Sequence, residues 1–63
     1  MIELTLPTMT CGHCVRSVTE TVQRVDAQAQ VQIDLATHLL RIVTTQPPAP
    51  FVAALTEEGY APA

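Results

Sequence analysis

The 63-residue chain has no tryptophan, and Phe51 and Tyr60 are its only aromatic residues. It therefore lacks a platform on which nucleic-acid bases could stack. Basic residues are also scarce. Three Lys+Arg stand against six Asp+Glu, giving a formal net charge of -3, which argues against phosphate-backbone binding. Only two cysteines are present, Cys11 and Cys14. A bridge between them would close a tiny loop and constrain the unfolded chain little. The disulfide-stapled class of small secreted domains is thereby excluded, and the cysteines are available for chemistry. The apolar runs fall far short of the roughly 20 residues that span a bilayer, so no membrane insertion is expected. Met1–Thr5 has neither the basic start nor the apolar stretch of an export leader. From this the expected protein is complete, cytoplasmic and a single domain over residues 1–63.

A chain this short buries only about 60% of its unfolded surface, so its fold must rest on a well-ordered core. Ile2, Leu4 and Leu6 alternate with Glu3 and Thr5, a period of two that marks a half-buried strand, and Pro7 ends it. Val15, Val18, Val22 and Val25 then recur at helical spacing as one apolar stripe. Arg16, Glu20 and Arg24 form a charged row on another face. Thr10, Cys11 or Gly12 can cap the start of this helix. Ala29, Val31, Ile33 and Leu35 give a second strand. Ala36-Thr37-His38 forms a short turn, and Leu40, Ile42 and Thr44 give a third strand, paired antiparallel with the second. Pro47, Pro48 and Pro50 lead into a second helix with Phe51 and Leu55 inward, and Gly59 stands where a left-handed C-terminal cap belongs. Tyr60–Ala63 leaves room for a stub of a last strand, limited further by Pro62. The order predicts an α+β fold. It is a ferredoxin-like βαββαβ sandwich, with an antiparallel sheet, both helices on one face and the last strand truncated.

Chemistry concentrates in Met9-Thr10-Cys11-Gly12-His13-Cys14, at the junction of the first strand and first helix. Two cysteines at this spacing can turn both sulfurs to one point. The helix N-terminus behind them, with free N–H groups and partial positive charge, favours thiolate over thiol. Two thiolates suit Cu(I), Hg(II) or, with further ligands, Zn(II), and Gly12 lets the backbone fold tightly around the ion. A rival reading is dithiol exchange, because Cys-Gly-His-Cys resembles the active-site tetrapeptide of protein disulfide isomerases. Against it stand Thr10 where those enzymes carry tryptophan, a chain short of the usual domain length, and a different order of elements. A third reading, inert structural cysteines, conflicts with Gly12 and His13 in a loop.

The segment resembles the MxCxxC motif of heavy-metal-associated domains. Gly59-Tyr60 and Val31-Gln32-Ile33-Asp34-Leu35 resemble the matching segments of CopZ-type bacterial copper chaperones. The resemblance runs from Ile2 to Tyr60. It implies Cu(I) held by Cys11 and Cys14 and handed to a copper-transporting P-type ATPase or its metal-binding domain. It makes Met9 a buried anchor beneath the loop and puts Tyr60 near the thiolates. Thr10 replaces the acidic residue of zinc-selective relatives, and mercury carriers of this type are typically exported. His13 is either a solvent-exposed residue or a third ligand. Arg16 either meets an acidic rim on the acceptor or pairs with Glu20. The carrier is expected to be non-enzymatic and monomeric, with a Cu(I)-bridged dimer as a possible further state. A copper buffer or sensor would need the same site.

Overall fold

The computed structural model describes residues 1–10 and 12–63; Cys11 lies outside the described residues. The elements are β1 (Ile2–Thr5), α1 (Gly12–Val25), β2 (Gln30–Asp34), β3 (Leu39–Val43) and α2 (Ala49–Glu57). The sheet is antiparallel with strand order β1-β3-β2. Its register places Ile2 opposite Ile42 and Leu4 opposite Leu40 on one side of β3, with Val31 and Ile33 opposite the same two residues on the other. Period-two alternation therefore gathers six aliphatic side chains on one face. Glu3, Gln32 and Arg41 lie on the opposite, exposed face, where Arg41 pairs with Glu3 at 3.0 Å.

Both helices cover the aliphatic face. Leu40 and Ile42 share one buried cluster with Leu6, Met9, Val18, Val22, Ala29, Phe51 and Leu55. The inward stripe of α1 differs from the valine pattern. Val15 is only half-buried and is not part of the core, whereas Cys14 packs against it and Thr21 is fully enclosed. Thr21 tolerates burial because its hydroxyl donates to the Ser17 carbonyl at 2.8 Å, the local bond that suits threonine within a helix. Because α1 begins at Gly12, that residue is inside the helix and does not cap it. The capping expectation for Cys11 falls outside the described residues.

Local polar bonds set the strand ends. β2 stops at Asp34 rather than at Leu35, because the Asp34 carboxylate accepts the Ala36 amide at 2.9 Å and turns the chain. β3 runs one residue earlier than the alternation suggested. Thr44 leaves the strand to donate to Asp26 at 2.6 Å, tying the end of β3 to the end of α1.

The second helix has Pro50 in its first turn and ends as expected. Gly59 takes φ +89°, the Gly59 amide donates to Thr56 and the Tyr60 amide donates to Leu55 at 2.8 Å. These two bonds make a Schellman close, which satisfies carbonyls left over at the helix end. Tyr60 then packs against the core. Among the described residues no fourth strand forms. At the C-terminal end the Ala63 amide donates to the Thr5 carbonyl at 2.8 Å, and Pro62 has no N–H to donate.

Candidate metal centre

The loop between β1 and α1 is held on several sides. Its first turn is closed by the Met9 amide donating to the Leu6 carbonyl at 3.0 Å, with Pro7 in the position that suits its fixed φ. Leu6 and Met9 are both fully buried, so the loop is nailed into the core at each end of this turn. Pro7, Thr8 and Thr10 stay exposed. Met9 is where an anchor beneath the loop belongs, with its side chain in the core.

Cys14 lies in the first turn of α1, half-buried and packed against the core, and its Sγ donates to the Thr8 carbonyl at 3.9 Å. A sulfur here sits near the positive end of the helix. Gly12 and His13 are exposed. A Cβ on Gly12 would meet open space, and its φ is not left-handed, so the fold itself does not demand glycine there. Among the described residues, no three His, Cys, Asp or Glu side chains group as a metal cluster. Cys11, and with it the geometry of the pair, lies outside the described residues.

Two contacts bring distant segments to the loop. The Thr8 hydroxyl donates to the Gly59 carbonyl at 3.3 Å, joining the loop to the close of α2, one residue before Tyr60. His38, in the β2–β3 turn, takes φ +57°. Its backbone carbonyl accepts the Leu6 amide at 2.8 Å and its Nδ1 lies 2.9 Å from the Met9 carbonyl. A carbonyl only accepts, so Nδ1 carries the proton. Thr8 and His38 were not picked out from the sequence. For His38 one signal was available, since histidine joins asparagine and aspartate as the side chains that most often tolerate left-handed backbone. Thr8 offered none.

A sheet lined by two helices on one face, with a cysteine at the exposed junction of β1 and α1, defines a small ferredoxin-like domain carrying a thiol-bearing loop. The heavy-metal-associated domain model matches residues 3–61, and the chain belongs to that family. It is similar to the copper chaperone Atx1 from Synechocystis PCC6803 in a trimeric form: 36% identity, full coverage of both chains and a TM-score of 0.95. It also resembles a gold binding protein (34% identity, 98% of this chain and 95% of that one, TM-score 0.93). A third likeness is to a cyanobacterial copper metallochaperone, ScAtx1 (35% identity, 98% and 97% coverage, TM-score 0.80). No curated protein sequence matches it significantly. No helix among the described residues is long and apolar enough to cross a membrane.

Proposed function

We propose that the chain is a cytoplasmic Cu(I) carrier, one domain over residues 1–63, that binds its ion between Cys11 and Cys14. The observation that carries this reading is the placement of Cys14. Its sulfur is half-buried at a helix start, beside a loop anchored by Met9, while the neighbouring Gly12 and His13 face solvent. Family membership and the copper chaperones among its structural neighbours support copper as the cargo. Two thiolates in a segment, residues 9–14, that contains no Asp or Glu suit a soft ion of low coordination number better than Zn(II), which usually takes four ligands. The likeness to a gold binding protein fits the same softness.

Handover is a ligand exchange without change of oxidation state. The acceptor is a copper-transporting P-type ATPase or its metal-binding domain. A thiolate of the acceptor bonds to Cu(I) to give a three-coordinate intermediate. One of Cys11 and Cys14 then leaves the ion, a second acceptor thiolate bonds to it, and the other donor cysteine leaves in turn. The chain acts as a monomer, with Tyr60 shielding the thiolates and Thr10, Gly12 and His13 on the docking rim. His13 stays outside the coordination shell.

The test is competition with a Cu(I) chelator under reducing conditions. Cys11→Ser and Cys14→Ser should each lose more affinity than the roughly 10–100-fold typical of removing an outer-shell partner. If both serine variants kept wild-type affinity, the two-thiolate site would be wrong. Strong insulin reduction without tight Cu(I) binding would favour the dithiol-exchange reading.

A further inference from the structure

We propose that His38 is a positioning residue for the metal loop, bracing the backbone that leads into Cys11 from the opposite hairpin; its effect on Cu(I) rests on the carrier reading above. Three observations converge on this residue. The first is backbone strain. His38 holds φ +57° in the β2–β3 turn, where an L side chain is uncommon and glycine would sit at no steric cost. The second is that its carbonyl extends the β1–β3 ladder by one rung, accepting the Leu6 amide at 2.8 Å just where β1 becomes the loop. The third is that its ring reaches across 29 positions to donate from Nδ1 to the Met9 carbonyl at 2.9 Å. The strained turn aims both the carbonyl and the ring at the two ends of the Leu6–Met9 turn. That conformation closes the hairpin between Asp34 and Leu39 and leaves both groups bonded to the loop after β1.

The consequence follows from where Met9 lies. Its side chain is locked in the core, its amide is bonded to Leu6 and its carbonyl to His38, and it stands two positions before Cys11 in the sequence. With that carbonyl held, the approach to the first thiolate is ordered before the ion arrives. Without it, the ordering cost falls on the binding step and affinity drops. His38 does not touch the metal in this scheme. It sets how ready the loop is to receive it.

Two substitutions separate the ring bond from the turn. His38→Gly accepts the left-handed backbone and deletes the donor. His38→Asn accepts the same backbone and puts an amide N–H at the position of Nδ1, one bond beyond Cγ in both residues. Cu(I) affinity by chelator competition and hydrogen exchange of the Met9 amide in the metal-free chain are measured on both. The glycine variant should lose about threefold to tenfold in affinity, the worth of one hydrogen bond, and its Met9 amide should exchange faster by a similar factor. The asparagine variant should restore both to within about twofold, which loss of ring packing alone would not allow. Wild-type affinity in the glycine variant overturns the proposal, as does equal loss in both variants. If the glycine variant fails to fold, His38→Asp takes its place, keeping the left-handed tolerance but offering an acceptor to a carbonyl. If the wild-type chain does not hold Cu(I) through its cysteines, the carrier reading falls. The Met9 amide alone then decides whether His38 braces the loop.

Discussion

The Thr8 hydroxyl donates to the Gly59 carbonyl at 3.3 Å, so the β1–α1 loop and the close of α2 meet although they are 51 positions apart. That carbonyl is aimed by the left-handed φ of +89° at Gly59. A Cβ there would meet no atom, so the effect of Gly59→Ala is confined to backbone strain. The expected cost is about 1–2 kcal/mol in urea denaturation. Gly59→Asn should cost clearly less, because asparagine tolerates this region. Equal losses for alanine and asparagine would mean that something other than φ matters at this position.

Met9 is fully buried, and the proposed role of anchor can be told from that of ligand by size and chemistry. Met9→Ala should cost about 2–5 kcal/mol through the cavity it leaves. A chain of this length holds only about 3–9 kcal/mol in total, so much of the alanine variant should be unfolded. Met9→Leu conserves volume, should cost less than about 1.5 kcal/mol, and has no sulfur. Cu(I) affinity of the folded leucine variant is expected to match wild type. A loss comparable to that of a cysteine variant would make the thioether a ligand.

Most of the architecture was legible because burial on one face is a local property of the sequence. Ile2 and Leu4, Val31 and Ile33, and Leu40 and Ile42 each alternate with polar residues, and all six face the core. Val15 misled because a helical stripe read from valines ignores a cysteine one position away. Cys14, a small apolar side chain, packs on the core while bearing the candidate thiolate. Strand ends were missed by one residue because Asp34 and Thr44 form side-chain bonds that compete with the ladder. The supports of the site were illegible for a different reason. His38 to Met9 and Thr8 to Gly59 are single long-range bonds, and no periodicity announces them.

Acid sensitivity should appear at the junction of α1 and β3. The Asp26 carboxyl is held below its ordinary value of 3.8, first by the Thr44 hydroxyl and then by the Gln28 amide, with desolvation opposing weakly. A depressed folded pKa contributes stability that is fully present above the unfolded value. It is lost as pH falls through the folded value. Asp26→Asn should therefore be less stable than wild type at pH 7, with the gap narrowing as the pH is taken below about 3.8. Denaturation curves of both proteins at neutral and strongly acidic pH measure it. A gap that stays constant across that range would remove Asp26 as the titrating group.

Docking to the acceptor should be nearly independent of Arg16. The three Lys+Arg are all arginines, and each has a carboxylate partner: Arg16 with Glu20 at 3.2 Å, Arg24 with Glu58 at 2.6 Å and Arg41 with Glu3 at 3.0 Å. An acidic rim on an acceptor would have to compete with Glu20 for the Arg16 guanidinium. Both side chains of this pair are well exposed, at 81% and 64%, so the competition takes place in water, where either pairing is worth little. Arg16→Gln removes the charge without setting two carboxylates four residues apart. The rate of Cu(I) transfer to the proposed acceptor should change by less than about twofold at physiological salt, where the Debye length is about 8 Å. A loss beyond about fivefold that vanishes at high salt would instead place Arg16 in the docking contact, with Glu20 only its resting partner.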